Sequence, residues 1–504
     1  MATMVSMEFY QSGPSLKNTY DSDSVLQDAL KRSLPADAFG KIEKHLRHVG
    51  ELAVGDWLRW SREAEANKPK LVQFDAFGRR RDEIVVSDGW RKLEAAAATE
   101  GIVASGYTRE FGEFSRVYQA ALLYLFHPSS AFVSCPLAMT DGAARAIELY
   151  GDEELKANAF KHLTSRDPKT FWTSGQWMTE KTGGSDVSET STVAKRSGHE
   201  WTLHGTKWFT SATTSQMAML LARPEGAEAG SRGLSLFYTE LRDKNAALKN
   251  IEILRLKDKL GTDALPTAEL QLVGTPARLV GGEGNGVRKI SSLFNITRVY
   301  NSVCSVGHLR RGLDLAQSYS RERRTFGRPI IEHPLHQQTL SDVEASFARA
   351  FSLTLFVAHL LGRDEVGTAT ERERLLLRAL TPISKLYSAR VCMSGTSEVV
   401  EMFGGVGYIE DSGIPRLLRD AQVFSIWEGT TNVLALDFLR AVDKEEAKRD
   451  FIAAVEERFS EKNLGAAWLE ARQILLKPRD EAQARRLSFL IAEATTNALR
   501  NSLV

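Results

Sequence analysis

The hydrophobic pattern divides the chain into three stretches. Up to about residue 170, apolar positions recur at helical spacing. Ala143-Ala144-Arg145-Ala146-Ile147-Glu148-Leu149-Tyr150 is an example, and Gly151 supplies a stop signal after it. Asp75-Ala76-Phe77-Gly78-Arg79 reads as a turn between helices. From about residue 171 the pattern shortens. Trp201-Thr202-Leu203-His204-Gly205 alternates like a strand, and residues 217–222, 234–238, 251–256 and 270–273 are apolar runs of strand length. From Gly286 helical spacing returns. Residues 287–321, 335–361 and 375–402 predict three long helices, the last ending at Phe403-Gly404-Gly405-Val406-Gly407-Tyr408, and residues 441–504 predict a further helical tail.

Helices, then strands, then helices predict an α+β protein rather than a doubly wound sheet. The expected domains are an N-terminal helical domain at 1–170, a β-barrel or sandwich domain at 171–285, a C-terminal four-helix-type domain at 286–440 and the tail at 441–504. Gly281-Gly282-Glu283-Gly284-Asn285-Gly286 lacks the spacing of a dinucleotide fingerprint and reads as a turn entering the long helix.

Charge and composition narrow the function classes. Lys+Arg (65) and Asp+Glu (64) nearly cancel, so no global field draws the protein to nucleic acid or an anionic membrane. Cys135, Cys304 and Cys392 are too few and too scattered for a disulfide framework or a paired-cysteine metal site. They read as small buried hydrophobes in a reducing compartment. His333 and His336 lack the partners of a metal site, and His308, Arg310 and Arg311 read as a solvated helix face. Continuous apolar runs such as residues 120–126 fall short of the ~20 residues of a membrane span, so no membrane insertion is expected. Neither a basic-then-apolar leader nor a peroxisomal signal at Asn501-Ser502-Leu503-Val504 is recognised, which makes the cytoplasm the default expectation.

Four segments are candidates for chemistry. In Gln176-Trp177-Met178-Thr179-Glu180-Lys181-Thr182-Gly183-Gly184-Ser185-Asp186, the Gly-Gly turn lets backbone amides approach a ligand, Thr179 offers a hydroxyl and Trp177 a flat face; a plain loop beside core aromatics fits as well. Gly205-Thr206-Lys207-Trp208-Phe209-Thr210-Ser211 is an alternating strand ending in hydroxyls. In Arg321-Glu322-Arg323-Arg324-Thr325-Phe326-Gly327-Arg328-Pro329, clustered guanidinium groups suit a diphosphate, or simply a solvated helix end. In Ser425-Ile426-Trp427-Glu428-Gly429-Thr430-Thr431-Asn432, Thr430 or Thr431 can cap a helix whose N-terminus would receive phosphate. Glu428 lies just before it, beside an indole. That setting suits a base that takes a proton from carbon, although a carboxylate facing a helix dipole is the plainer alternative.

Taken in this order and at these separations, the four segments resemble the acyl-CoA dehydrogenase superfamily, and within it the AidB-like, alkylation-response branch. The resemblance covers about residues 8–440 and includes Asp21-Ser22-Asp23 and Phe77-Gly78-Arg79-Arg80-Arg81-Asp82-Glu83. It implies FAD held between a β domain and helical domains in a homotetramer, a dimer of dimers. It implies that Met178 and Thr179 face the flavin with Gly184 and Ser185 nearby, and that Phe209 and Ser211 provide a covering aromatic and a hydroxyl. Arg323, Thr325 and Phe326 would reach the FAD of a neighbouring subunit, lined also by Glu401, Gly404 and Gly405. Thr430 and Asn432 would touch the diphosphate and adenosine, with Trp427 alongside. Glu428 matches the base that removes the α-proton of an acyl thioester before β-hydride transfer to flavin, and Arg298 matches an arginine near the base and the CoA arm. Asn295 stands where fatty-acyl members often have Asp, Glu401 where many have Gln, and Trp427 where Tyr is frequent.

The resemblance thus implies an FAD-dependent acyl-CoA dehydrogenase of fatty acid metabolism that yields a 2-enoyl-CoA and passes electrons to an electron-transfer flavoprotein. The alternative within the branch is a nucleic-acid-associated protective flavoprotein with little turnover. Against it, residues 441–504 hold eleven Lys/Arg and eleven Asp/Glu, with no basic stripe. A third reading, oxidation or oxygenation with dioxygen, is disfavoured by the presence of Glu428, since members specialised for oxygenation often lack the base.

Overall fold

The computed structural model describes residues 12–198 and 200–501. The C-terminal residues 502–504, on which the reading of a targeting signal partly rests, lie outside the described residues, as do residues 1–11.

The N-terminal part contains α1 (Ser24–Ser33), α2 (Ala36–Leu52) and α3 (Asp56–Ala66), then β1 (Lys70–Phe74) and β2 (Arg80–Val85). It continues with α4 (Asp88–Thr99), the single turn α5 (Ser105–Thr108), α6 (Ser115–Phe126), α7 (Ser134–Tyr150) and the short α8 (Glu153–Leu155) and α9 (Lys161–Leu163). The two strands correct the expectation of a wholly helical stretch. Residues 75–79 join an antiparallel hairpin, not two helices. Lys70-Leu71-Val72-Gln73-Phe74 alternates between exposed and half-buried, the period of a strand with one covered face. The Asp75 carboxylate accepts the backbone N–H groups of Phe77 and Arg79, which closes the turn.

The middle part contains β3 (Ser174–Trp177), β4 (Val193–Ser197), β5 (Glu200–Ser211), β6 (Met217–Pro224), β7 (Ser235–Glu240), β8 (Ile251–Leu256) and β9 (Thr267–Val280). The pairings run β6–β7–β9–β5–β4 and return to β6, so the sheet closes into a barrel, with β3 added in parallel to β6 and β8 added to β9. The N-terminal hairpin docks on β8. Gln73 Nε2 donates to the Ile253 carbonyl, and the Ile253 N–H donates to Asp82. An otherwise open strand edge is thereby covered. Between Lys207 and Thr210 the β5–β9 register slips by one residue, placing Trp208 and Phe209 on a bulge.

The remainder contains α10 (Gly286–Glu322), α11 (Pro334–Glu365), α12 (Glu371–Met402), α13 (Ile414–Phe424) and α14 (Thr431–Ala441), then the tail α15 (Glu445–Arg458), α16 (Glu461–Leu475) and α17 (Ala484–Asn501). Gly286 starts α10 against β7. A Cβ there would meet the Ser235 carbonyl carbon at 2.7 Å, so only glycine lets the long helix begin so close to the barrel. Thr370 and Glu373 form a reciprocal capping box at the start of α12. A continuous apolar core runs from Tyr20 and Trp57 through Phe126 and Phe132 to Leu309, Ile383 and Phe438. A second core, with Ile147, Met178, Met219 and Leu293, joins α7, the barrel and the first turns of α10. By length and composition α11 could span a membrane, but most of its apolar window is buried inside the protein.

All three cysteines are buried. The solvated face expected at 308–311 is instead interior. His308 and Arg311 are each 4% exposed, His308 Nε2 donates to the Leu417 carbonyl, and Arg311 donates to Ser129 Oγ. Arg310 pairs with Asp314. The reason is packing: α10 is covered all round by α6, α7, α11, α12 and α13 and has no solvated face along these turns. Burial pushes His308 down to about 4, so it is neutral at physiological pH.

Candidate active site

Glu428 lies in the short connection between α13 and α14, and its backbone is in the left-handed region at φ +56°, followed by Gly429 at φ +102°. A non-glycine residue there carries a cost of about 1–2 kcal/mol. Lys385 of α12 stabilises this turn. Its side chain is fully buried, and Nζ donates at 2.6 Å to both the Trp427 and Gly429 carbonyls, which flank Glu428. After Gly429, Thr430 accepts the Val433 N–H as the cap of α14, so the chain resumes a helix at once.

The carboxylate itself is half-buried and held from two elements. Thr297 of α10 approaches Glu428 Oε2 with its hydroxyl at 2.7 Å. Gln176 of β3 donates from Nε2 to Oε1 at 3.3 Å, while its own Oε1 is buried and has no protein partner. Trp427 does not lie over the carboxylate as a hydrogen-bonding partner; its indole N–H donates to Asn301 of α10, and its ring packs near Phe132 and Phe424. Burial, with the Glu428 charge adding to it, pushes the thiol of Cys135 in α7 up to about 12, so it is not a reactive thiolate.

The other expected residues fall into two groups. Met178 and Thr179 follow β3, whose Gln176 reaches Glu428, and Phe209 and Ser211 lie at the end of β5. The Trp208 N–H, on the bulge, donates to the Thr179 carbonyl and so ties the Phe209 bulge to the Thr179 loop. Phe209 is 56% exposed, and Ser211 pairs with Thr267. Glu180 and Lys207, both fully buried, form an ion pair beneath this loop, and Glu180 also accepts from Ser191 and Thr192. Gly184 and Ser185 are exposed at the loop tip, and a Cβ on Gly184 would press on Thr179 at 3.2 Å. Thr430 and Asn432 are exposed at the N-terminus of α14, where Arg485 of the tail approaches the Asn432 side chain.

The second group is Arg323, Thr325, Phe326, Glu401, Gly404 and Gly405. Tyr319 stacks on Phe403, ring centroids 4.5 Å apart, and so joins the end of α10 to the turn after α12. Phe326 is 98% exposed, and a Cβ on Gly404 or Gly405 would meet open space. This group lies far from Glu428. Arg298 and Arg323 are separated by about seven helical turns, about 38 Å. Arg298 does not touch Glu428. Its guanidinium is paired with Asp437 of α14 at 2.6 Å, and Asp437 also receives Arg378. Burial raises the Asp437 carboxyl, but these two guanidinium groups outweigh it and hold it below the usual carboxylate range.

Sequence reading missed Thr297, Lys385, Gln176 and Asn301 as site residues. Gln176 opens the segment that carries Met178 and Thr179, and Thr297 immediately precedes Arg298. For Lys385 the only local signal is a lysine in a stretch, Leu380 to Ala389, whose other residues are mostly small or apolar.

Comparison with known proteins identifies the family of the chain. Residues 13–168 match the adaptive response protein AidB N-terminal domain, residues 175–274 the acyl-CoA dehydrogenase middle domain and residues 284–442 the acyl-CoA dehydrogenase C-terminal domain. Acyl-CoA dehydrogenase family member 11 of Caenorhabditis elegans is 41% identical, over 97% of this chain and 85% of its own. The putative acyl-CoA dehydrogenase AidB of Escherichia coli is 30% identical, over 92% of this chain and 85% of its own. Among solved structures, Bd2924 in its apo-form is 57% identical with a TM-score of 0.95, covering 98% of this chain and 99% of its own. Caenorhabditis elegans ACDH-11 in complex with C11-CoA is 38% identical with a TM-score of 0.92, covering 100% of this chain and 91% of its own. This chain therefore belongs to the acyl-CoA dehydrogenase family, in the branch that carries an AidB-type N-terminal domain.

Proposed function

We propose that the protein dehydrogenates an acyl-CoA thioester, with Glu428 removing the α-proton to give a 2-enoyl-CoA. The observation that carries this reading is the Glu428 carboxylate, half-buried and fixed by Thr297 and Gln176 on a left-handed turn that Lys385 clamps. A base for carbon acids must be held in one geometry, because misplacement by 1 Å can cost about 100-fold.

The residues fit FAD. The orphaned Gln176 Oε1 offers an acceptor beside the base, the exposed Phe209 offers an aromatic cover, and the Thr179 loop offers a hydroxyl. Met178, Thr179, Gly184, Ser185, Phe209, Ser211 and Trp427 would hold the flavin end, and Thr430 and Asn432 the diphosphate at the positive end of α14. When bound, FAD supplies the acceptor for the β-hydride, and an electron-transfer flavoprotein is the acceptor class that would follow it. Arg323, Thr325, Phe326, Glu401, Gly404 and Gly405 are too distant to serve the same chain's site, which supports a dinucleotide shared between copies in a dimer of dimers.

C11-CoA leads the substrate panel, since ACDH-11 was solved in complex with it. The test is anaerobic mixing of the purified flavoprotein with saturated acyl-CoAs of graded length. Bleaching of the flavin and wash-in of deuterium at the α-carbon in D2O are expected, both lost in Glu428→Gln. If no acyl-CoA bleaches the flavin, or if Glu428→Gln behaves like wild type, the reading fails.

A further inference from the structure

We infer that Lys385 is a positioning residue for the base: it sets the direction of the Glu428 carboxylate by clamping the two carbonyls on either side of it. This rests on the reading of Glu428 as the base.

The argument begins from the backbone. Two consecutive left-handed residues, Glu428 and Gly429, turn neighbouring carbonyls toward the interior of the bundle. An inward carbonyl needs a donor, because an unpaired buried polar group costs about 1–3 kcal/mol. No backbone N–H supplies it there. Nζ of Lys385 does, at 2.6 Å to each carbonyl. Lys385 rises from the middle of α12 and is 0% exposed, so its stem is enclosed within the protein. A lysine at this depth is expensive to keep. Burial pushes it down to about 7, the nearby Glu428 charge opposing this and the Arg298 charge adding to it. Whether protonated or neutral, the amine retains the two N–H groups the two carbonyls require.

The other fully buried lysine, Lys207, is neutralised by the Glu180 carboxylate, whereas Lys385 directs its amine to the two carbonyls that hold the backbone of Glu428. A residue needed only for stability would be better replaced by a packed apolar side chain. The second point of support for the carboxylate, Thr297, comes from a different helix, so Lys385 fixes the backbone of Glu428 while Thr297 fixes its tip. Loss of Lys385 frees the turn to relax toward a right-handed conformation, which swings the carboxylate off the α-carbon without removing any group that touches substrate.

The test compares Lys385→Met and Lys385→Gln with wild type as FAD-loaded proteins. Lys385→Met fills the space and offers no donor; Lys385→Gln keeps two N–H donors but on a side chain one atom shorter, so it cannot reach both carbonyls with the same geometry. Flavin reduction at saturating acyl-CoA is expected to fall about 100-fold in Lys385→Met and about 10-fold in Lys385→Gln, with dissociation constants for acyl-CoA within about threefold of wild type. Deuterium wash-in at the α-carbon, which reports the base alone, is expected to fall in parallel. FAD stoichiometry and thermal unfolding measure the folded fraction, and Lys385→Gln carries the test if Lys385→Met does not fold. Wild-type rates in either folded variant, or losses that only track lost FAD, overturn the inference while leaving Glu428 as the base. A wild-type protein that neither bleaches nor exchanges with any acyl-CoA overturns the reading of Glu428 and this inference with it.

Discussion

The Thr297 hydroxyl stands 2.7 Å from Glu428 Oε2, joining the first third of α10 to the connection between α13 and α14 across 131 residues of sequence. A hydrogen bond to a charged group contributes about 1.5–3 kcal/mol. Thr297→Val keeps the shape and removes the donor. It is expected to slow flavin reduction at saturating acyl-CoA about 10- to 100-fold, while Thr297→Ser stays near wild type. Stopped-flow spectroscopy of both variants checks this.

A buried polar network joins the N-terminal helices to the C-terminal bundle. Asp141 is fully buried and accepts from Tyr107, Tyr300, Gln119 and Arg116, and Arg116 in turn pairs with Glu365 of α11. Asp141→Ala leaves the Arg116 charge with a single carboxylate, Glu365, and removes the side-chain acceptor shared by Tyr107, Tyr300 and Gln119. The expected loss is about 3–5 kcal/mol of stability, read by urea unfolding, with a correspondingly lower Tm.

A pH dependence of stability is expected from the contact of Asp420 with the 260–265 loop. Asp420 is 3% exposed and accepts the Thr262 N–H at 2.6 Å. Burial first, and the nearby Glu65 charge second, push its carboxyl well above the usual range. The folded protein therefore holds a proton that the unfolded chain releases near pH 4. This stabilisation is complete below that pH and is lost as pH rises through the raised folded value. Asp420→Asn, which still accepts from Thr262, should flatten the difference. Urea titrations of both proteins between pH 4 and 8 decide it; parallel curves would refute it.

The distance between Glu428 and the Arg323 group calls for a complementation experiment. Glu428→Gln chains lack the base, and Arg323→Glu chains present the wrong charge at the arm. Each alone is expected to bleach poorly. If a neighbouring copy completes the FAD site, co-expression of the two should restore flavin bleaching in mixed oligomers. Two inactive chains that remain inactive together, though co-purified, would refute a shared site.

Much of the site was legible locally. In the Trp427-Glu428-Gly429-Thr430 run, Gly429 takes the positive φ it tolerates and Thr430 caps α14. The long helices were legible because their apolar periods extend over many turns. The β1–β2 hairpin was not, because its strands are short and it is stabilised by docking on β8, a contact 171 residues away in sequence. His308, Arg310 and Arg311 read as solvent-facing because polar side chains usually are. Only the packing of five helices around α10 makes them interior.

By itself the sequence determined the order of helices and strands, the closing turns and the family to which the motifs belong, since periodicity, caps and glycine freedom act within a few residues. The tertiary structure decided which groups act on Glu428. Thr297, Gln176 and Lys385 come from a helix, a strand and a second helix, and only one of the three carries a charge. A lysine on a helix is ordinary in sequence. It becomes a clamp only where packing removes water from around it and leaves two backbone carbonyls as its partners, and that is a property of the folded interior.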